Sequence, residues 1–409
     1  MPKLHYLLIL LMFMLVTGCD QSHHSDYDDS FISEGPYHVH LTWQGVSDPL
    51  SRSLPDVKTR MTVSFRSHSA TGKVQYGMTS SYGLEKIVTG EAYSDSYLHH
   101  IELTGLNPGT VYHYRCGNES DGWSRDYTFT TAPNGPGYVR FAVLGDSRSN
   151  NTARRWVKDQ VKAKNPSFVL FGGDAVEDGR SQSQWDTWFT TYQDLSAKAP
   201  TMPCVGNHEF NSGNFYSQFA LPIHQPSENL VNGFKTPDEA YYSFDYSNIH
   251  IVCLTTEPVE NDLTNKPQET WLRNDLQVAA ANPAIRWIIV YAHRPPYSSG
   301  NHGSDLNVRN TWAPIFDLYH VDIAFFGHDH DYERTRSLKN DAIVADGQGT
   351  LYIVTGGAGA PLYSVGTNLW TVRSESIYHF CLLEVNGSSL TLNVYDDFGT
   401  RIDLFTLTK

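Results

Sequence analysis

The sequence predicts two domains of different class, an antiparallel all-β sandwich followed by a larger layered α/β domain. Three observations carry this expectation. Between Tyr37 and Phe129 apolar and polar residues alternate, the period of strands with one buried face. Beyond Gly137 the alternation gives way to short continuous apolar runs, each followed at once by Gly or another small residue and then by Asp, Asn or His. Between those runs apolar residues recur at helical spacing. A chain of 409 residues with 40% hydrophobic content can bury one large core or two separate ones.

The chain opens with Lys3 and the apolar stretch Tyr6 to Val16, then Val16-Thr17-Gly18-Cys19. A bilayer crossing needs about 20 apolar residues, so this stretch reads as a secretory signal. Its last four residues resemble a bacterial lipobox. Residues 1–18 are then a signal peptide removed before Cys19, and lipidation of that thiol ties the protein to the cell envelope, on its periplasmic or outer surface. An ordinary signal peptide with a Cys near its cut is the other reading. Asp20 resembles an inner-membrane retention signal. Residues 19–35 are polar, and His23 and His24 among Asp26, Asp28 and Asp29 fit a solvated tether better than a metal site.

Residues 36–132 form the expected sandwich. Val39, Leu41 and Trp43 alternate with polar residues, as do Met61, Val63 and Phe65, then Tyr112, Tyr114 and Cys116, then Tyr127 and Phe129. The stretch Leu106 to Tyr112 resembles the turn-and-tyrosine signature of fibronectin type III domains. His99 and His100 read as cross-strand surface residues. The domain would pack against its neighbour or shape access to it, and glycan binding stays open as a second role. Ala132-Pro133-Asn134-Gly135-Pro136-Gly137 closes it.

The α/β domain is expected over residues 138–409. Five apolar runs lead to Gly145-Asp146, Gly172-Gly173-Asp174, Gly206-Asn207-His208-Glu209, Ala292-His293 and Gly327-His328-Asp329-His330. Metal-ligand residue types thus fall at the carboxyl ends of several strands, the edge where open α/β sheets bind ligands. Trp185, Trp188, Phe189, Tyr192 and Leu195 predict one helix with a core face, and Trp271, Leu272, Leu276 and Ala279 behind Pro267 predict another. Strands return at Leu351–Val354, Phe380–Val385 and Leu390–Val394. The glycines at 356, 357 and 359 follow a strand, but no helix with a Lys comes next, so a nucleotide cradle is rejected in favour of a flexible loop.

A net charge of -14 without a dense Lys/Arg run excludes a nucleic-acid or anionic-membrane binder. An acidic protein that binds phosphate must supply positive charge locally, and metal ions do that. Cys116, Cys204, Cys253 and Cys381 lie in apolar or alternating segments, and their pairing is left open.

The ordered set G-D, G-G-D, G-N-H-E, A-H and G-H-D-H resembles the calcineurin-like metallophosphoesterases, and in detail the purple acid phosphatases. Trp185-Asp186-Thr187-Trp188, Ala240 to Phe244, Asn301-His302 and Asp331-Tyr332-Glu333-Arg334 extend the resemblance over nearly all of the chain after Pro36. It implies a two-sheet sandwich flanked by helices and a site for two divalent metal ions, Fe, Mn, Zn or Mg. It implies that Asp174 bridges the ions, that Asp146 and His330 hold the first, and that Asn207, His293 and His328 hold the second. His208 and His302 match the histidines that hold phosphate oxygens and protonate the leaving group, and a hydroxide generated on the ions attacks phosphorus in line.

Two positions depart from the pattern. Glu177 stands where purple acid phosphatases carry the tyrosine that colours them. Arg148 stands where related phosphoesterases carry a ligand His. The expectation is therefore a protein that is not purple. Glu177 is open as a ligand or as an ion-pair partner of Arg148 or Arg180, and Arg148 is open as a phosphate-binding group. The implied activity is hydrolysis of a small phosphomonoester. Two rivals remain: a phosphodiesterase or nucleotide pyrophosphatase on the same scaffold, and a weakly active binding protein using the sandwich domain.

Overall fold

The computed structural model describes residues 35–224, 239–257 and 266–409, together with the short paired strands Leu230–Val231 and Phe234–Lys235. The expected signal segment, Cys19 and the tether lie outside the described residues. Gly35–Lys409 forms one compact unit.

The amino-terminal part is all β. One sheet orders Tyr37–Thr42, Arg60–Ser67, Ser96–Thr104 and Glu91–Tyr93; the other orders Tyr127–Thr130, Val111–Asn118, Thr71–Gly77 and Leu84–Thr89. The alternating residues of both sheets face inward, with Val39, Leu41, Val63, Phe65 and Tyr114 at 0% exposure. His99 departs from the surface expectation. It is buried, stacks on Phe65 at 4.7 Å and bonds Ser67 Oγ through Nε2 at 2.9 Å. Gly72 and Gly90 make room, since a Cβ on either would meet the ring within 2.5 Å. His100 is half-buried and bridges Ser64 Oγ to the Ser217 carbonyl. Period two assigns a face, but it does not say that glycines opposite will open a slot for a ring.

The carboxyl-terminal part holds two large sheets. The six-stranded sheet runs Thr201–Pro203, Val169–Phe171, Val139–Leu144, His379–Asn386, Ser389–Asp396 and Arg401–Thr408. The first three are parallel and the rest antiparallel. The second sheet has Ile249–Cys253, Trp287–Tyr291, Ile323–Phe326 and Thr350–Thr355 in parallel at its centre. Three motif strands therefore lie in one sheet and two in the other. Helix Asn151–Ala163 begins at Asn150, whose Oδ1 accepts the amides of Thr152 and Ala153, and helix Leu306–Tyr319 uses Asp305 in the same way.

Helix Gln182–Ser196 buries Trp185, Trp188, Phe189, Tyr192 and Leu195, as its spacing predicts. Its far side meets the amino-terminal sandwich: Gln193 Oε1 accepts Val39 N at 2.9 Å, and Arg66 Nη1 donates to Asp186 at 2.6 Å. Trp43 packs on Phe168 and Phe244, so one apolar core runs through both parts. The four described cysteines are buried free thiols.

A buried His250, on strand Ile249–Cys253, sits between Asp275 (2.8 Å) and Asp245 (2.7 Å). Burial alone would lower its pKa, but the two carboxylates outweigh burial and push it up to about 10. A raised folded pKa means the stabilisation is fully present below pH 6.5 and fades as pH rises through about 10. His250→Asn should therefore cost about 3 kcal/mol near pH 6, and urea titrations should find that difference shrinking by pH 10. An unchanged difference across that range would sink the assignment.

Candidate metal centre

The carboxyl ends of the two sheets meet face to face. Asp146 from the first sheet accepts His328 N from the second at 3.0 Å, and Asn207 Oδ1 lies 3.0 Å from His293 Nε2. The meeting needs glycine: a Cβ on Gly206 would stand 2.3 Å from Asp174 Oδ1, and one on Gly327 would stand 2.2 Å from Asp146 Oδ2. That is the steric reason for the G in G-N-H-E and in G-H-D-H. Asp146, Asp174 and His328 hold left-handed backbone conformations, with φ of 60°, 53° and 69°. Each such residue costs on the order of 1–3 kcal/mol, so the surrounding contacts over-determine a strained site.

Asp146, Asp174 and His330 bring ligand atoms within 4.8 Å of one another, and all three are buried. His330 Nδ1 donates to the Pro361 carbonyl at 2.8 Å, which leaves Nε2 as the acceptor nitrogen, 3.6 Å from Asp146. His293 is set in the same way: Nδ1 donates to Gly172 O at 2.9 Å, and Nε2 faces Asp174 Oδ1 at 3.4 Å. Fixing the tautomer from behind is what a ligating imidazole requires. Asp174 reaches both groups, since its carboxylate also accepts His208 N at 2.9 Å and lies 3.6 Å from Arg148 Nε.

The charges fit a cation. Burial raises the Asp146 pKa well above the usual carboxylate range, with Asp174 adding to the rise. Burial would also raise Asp174, but the neighbouring His293 overrides it and holds Asp174 below that range. Asp174 in turn overrides burial at His293 and pushes its pKa up to about 10. A cation entering here displaces such a proton. Burial lowers His330 to about 4, and burial with the charges of His293 and Arg294 lowers His328 to about 2. Both rings are thus kept neutral, the ligand form.

The remaining expected residues stand around this group. His208 Nδ1 donates to the Glu177 carbonyl at 2.7 Å, with Nε2 3.9 Å from Asp174 Oδ2. His302 stacks on His328 at 4.1 Å. Arg148 enters the centre, with Nη2 3.5 Å from His330 Nε2 and Nη1 2.5 Å from Glu177. Of the alternatives left open for Glu177, the arrangement shows the pair with Arg148, together with a bond from Ser149 Oγ; Arg180 pairs with Asp178 instead.

Sequence placed Glu209 in the G-N-H-E motif among the metal-ligand residue types and gave Arg294 and Tyr363 no role. Glu209 points away from the ligand group and accepts the amides of Asp174 (2.8 Å), Ala175 (2.8 Å) and Gly206 (2.7 Å). Burial, with the Asp174 charge, raises its pKa to about 7. Arg294 Nη1 lies 3.1 Å from His328 Nε2 and is anchored on Glu257 at 2.5 Å. Tyr363 stacks on His330 at 4.0 Å. The glycine loop expected to be flexible is buried against the centre: Ala358 N and Ala360 N donate to Gly145 O and Asp146 O at 3.0 and 2.8 Å. Glu209 sits inside a motif, so its position was visible and only its direction was not.

Residues 139–332 match the model for calcineurin-like phosphoesterases, and residues 36–131 match that for the purple acid phosphatase N-terminal domain. Acid phosphatase type 7 of Mus musculus is 31% identical over 299 residues, covering 64% of this chain and 64% of that protein. The Homo sapiens acid phosphatase type 7 is 28% identical over 418 residues, covering 90% of each. Among solved structures, the purple acid phosphatase from yellow lupin seeds aligns with a TM-score of 0.74 at 20% identity, covering 92% of this chain and 74% of that one. The sandwich and the two sheets agree with these matches: the chain carries a calcineurin-like phosphoesterase domain behind a purple acid phosphatase N-terminal domain and is similar to the purple acid phosphatases, hydrolases of phosphoric esters.

Proposed function

We propose that this chain is a dinuclear metal-dependent phosphomonoesterase. The observation that carries the reading is the buried group Asp146, Asp174 and His330, faced across Asp174 by Asn207, His293 and His328, with two histidines of fixed tautomer beside it. Asp146, Asp174 and His330 would hold one ion, and Asp174, Asn207, His293 and His328 the other. When bound, such a pair neutralises phosphoryl charge and lowers the pKa of water.

The chain's own groups do the rest. His208 presents Nε2 on the Asp174 side of the centre, and His302 presents Nε2 from the opposite loop. Each is suited to hold a phosphate oxygen and to pass a proton to the departing one. Arg148, held by Glu177, offers a guanidinium to a phosphate oxygen at the edge of the first site. Because Glu177 replaces the tyrosine and is engaged by Arg148, iron-loaded protein should show no visible tyrosinate-to-iron band; a visible absorption spectrum tests this directly.

The remaining parts of the reading concern layout and address. Residues 36–132 form a fibronectin III-like domain and 138–409 the catalytic domain, divided at the Ala132–Gly137 linker; 1–18 is a signal and 19–35 a tether lipidated at Cys19, in a bacterial envelope. No described helix is long and apolar enough to cross a membrane. The decisive experiment is hydrolysis of an aryl phosphomonoester and the matching diester by chelator-stripped protein given Mn, Zn, Mg or ferrous iron singly. Recovery with one metal and a preference for the monoester is expected. Preference for the diester would move the reading to a phosphodiesterase, and failure with every metal in folded protein would move it to a binding role.

A further inference from the structure

We propose that Asp329 is a positioning residue for His302, fixing the tautomer and aim of that ring. This rests on the phosphohydrolase reading above. Asp329 lies between His328 and His330, and its fully buried side chain grips the loop that carries His302. Its Oδ1 accepts both the His302 amide at 2.7 Å and the ring Nδ1–H at 3.0 Å. Its Oδ2 accepts Ser298 Oγ at 2.5 Å, and Ser298 Oγ accepts Gly300 N at 2.9 Å. The loop can press this closely only through glycine, because a Cβ on Gly300 would stand 2.6 Å from Asp329 Cγ.

The consequence for His302 is geometric. One carboxylate oxygen holds both its backbone and its ring, and the ring's face lies on His328 at 4.1 Å with its edge toward Tyr363 at 5.3 Å. Tautomer, tilt and depth are all set, and Nε2 is the nitrogen left for a phosphoester. His208 is held by a neutral carbonyl, so the two histidines differ in how they are anchored. The same Asp329 ties this anchor to the strand end that carries two expected metal ligands, so the loop and the centre hold one registry.

The test measures kcat, KM and metal content on an aryl phosphomonoester for Asp329→Asn and Ser298→Ala, each with His302 intact and with His302→Ala, in the full chain. Asp329→Asn should lower kcat by roughly 10- to 100-fold with KM and metal content nearly unchanged, and by less than about threefold once His302 is gone. An equal loss in both backgrounds, or no loss with His302 intact, overturns the proposal. If Asp329→Asn does not fold, Ser298→Ala should still show a loss of about two- to fivefold confined to the background that keeps His302; its absence also overturns it. Ring ¹⁵N spectra give a readout independent of turnover. His302 should carry its proton on Nδ1 in the wild-type protein and lose that preference in Asp329→Asn, whereas a wild-type proton on Nε2 alone refutes the proposal whether or not any ester is hydrolysed.

Discussion

Asp174→Asn is expected to reduce metal-dependent phosphomonoester hydrolysis by a factor of about 10³ or more, with retention of the fold. Asp174 reaches across the centre: His293 Nε2 at 3.4 Å, the His208 amide at 2.9 Å and Arg148 Nε at 3.6 Å, with its ligand atom within 4.8 Å of those of Asp146 and His330. An amide offers one neutral oxygen where the carboxylate offers two that share a negative charge, so neither side of the pair keeps its ligand strength. The His293 proton, held by the Asp174 charge, should be released as well, and metal titration should show weaker binding with fewer protons displaced. Full activity in Asp174→Asn at saturating metal would remove Asp174 from the bridging role.

Glu209→Ala should be the most damaging change among residues that hold no ligand position. The substitution strips the acceptor from three amides at once, those of Asp174, Ala175 and Gly206, in a fully buried place. Each orphaned buried amide costs on the order of 1–3 kcal/mol, so a total loss of about 3–9 kcal/mol is expected. Part of that loss must appear in metal affinity, because the strained turn at Asp174, φ 53°, is held in place by the Glu209 bond to its amide. Thermal unfolding and metal titration of the same variant measure the two parts. An unchanged Tm with unchanged affinity would mean that the turn is held by the sheets alone. Glu209→Gln, which keeps one acceptor oxygen, should fall between the two.

The sequence by itself determined the division into an alternating β part and a layered α/β part, because periods of 2 and 3.6 record which face of an element is buried. It also marked the residues expected to hold metal. Glycine followed by Asp, Asn or His at four strand ends, and alanine followed by His at a fifth, is a local signal, and the steric need behind it, visible at Gly206 and Gly327, is local too. What only the tertiary structure decided is where side chains point once the two sheets meet. Asp329 and Glu209 stand in the motifs beside His328 and Asn207, yet both turn away from the ligand group, one to hold a loop from Ser298 to His302 and the other to hold the turn at Asp174. Glu177 was legible as a substitution with Arg148 and Arg180 as alternative partners, and the choice of Arg148 was made by distance across 29 residues of chain. His99 vanished into the sandwich for the same reason, and the glycines after Thr355 became a packed wall rather than a flexible loop. Spacing along a chain fixes which residues share a face, whereas partners on different strands are chosen by the packing that brings those strands together.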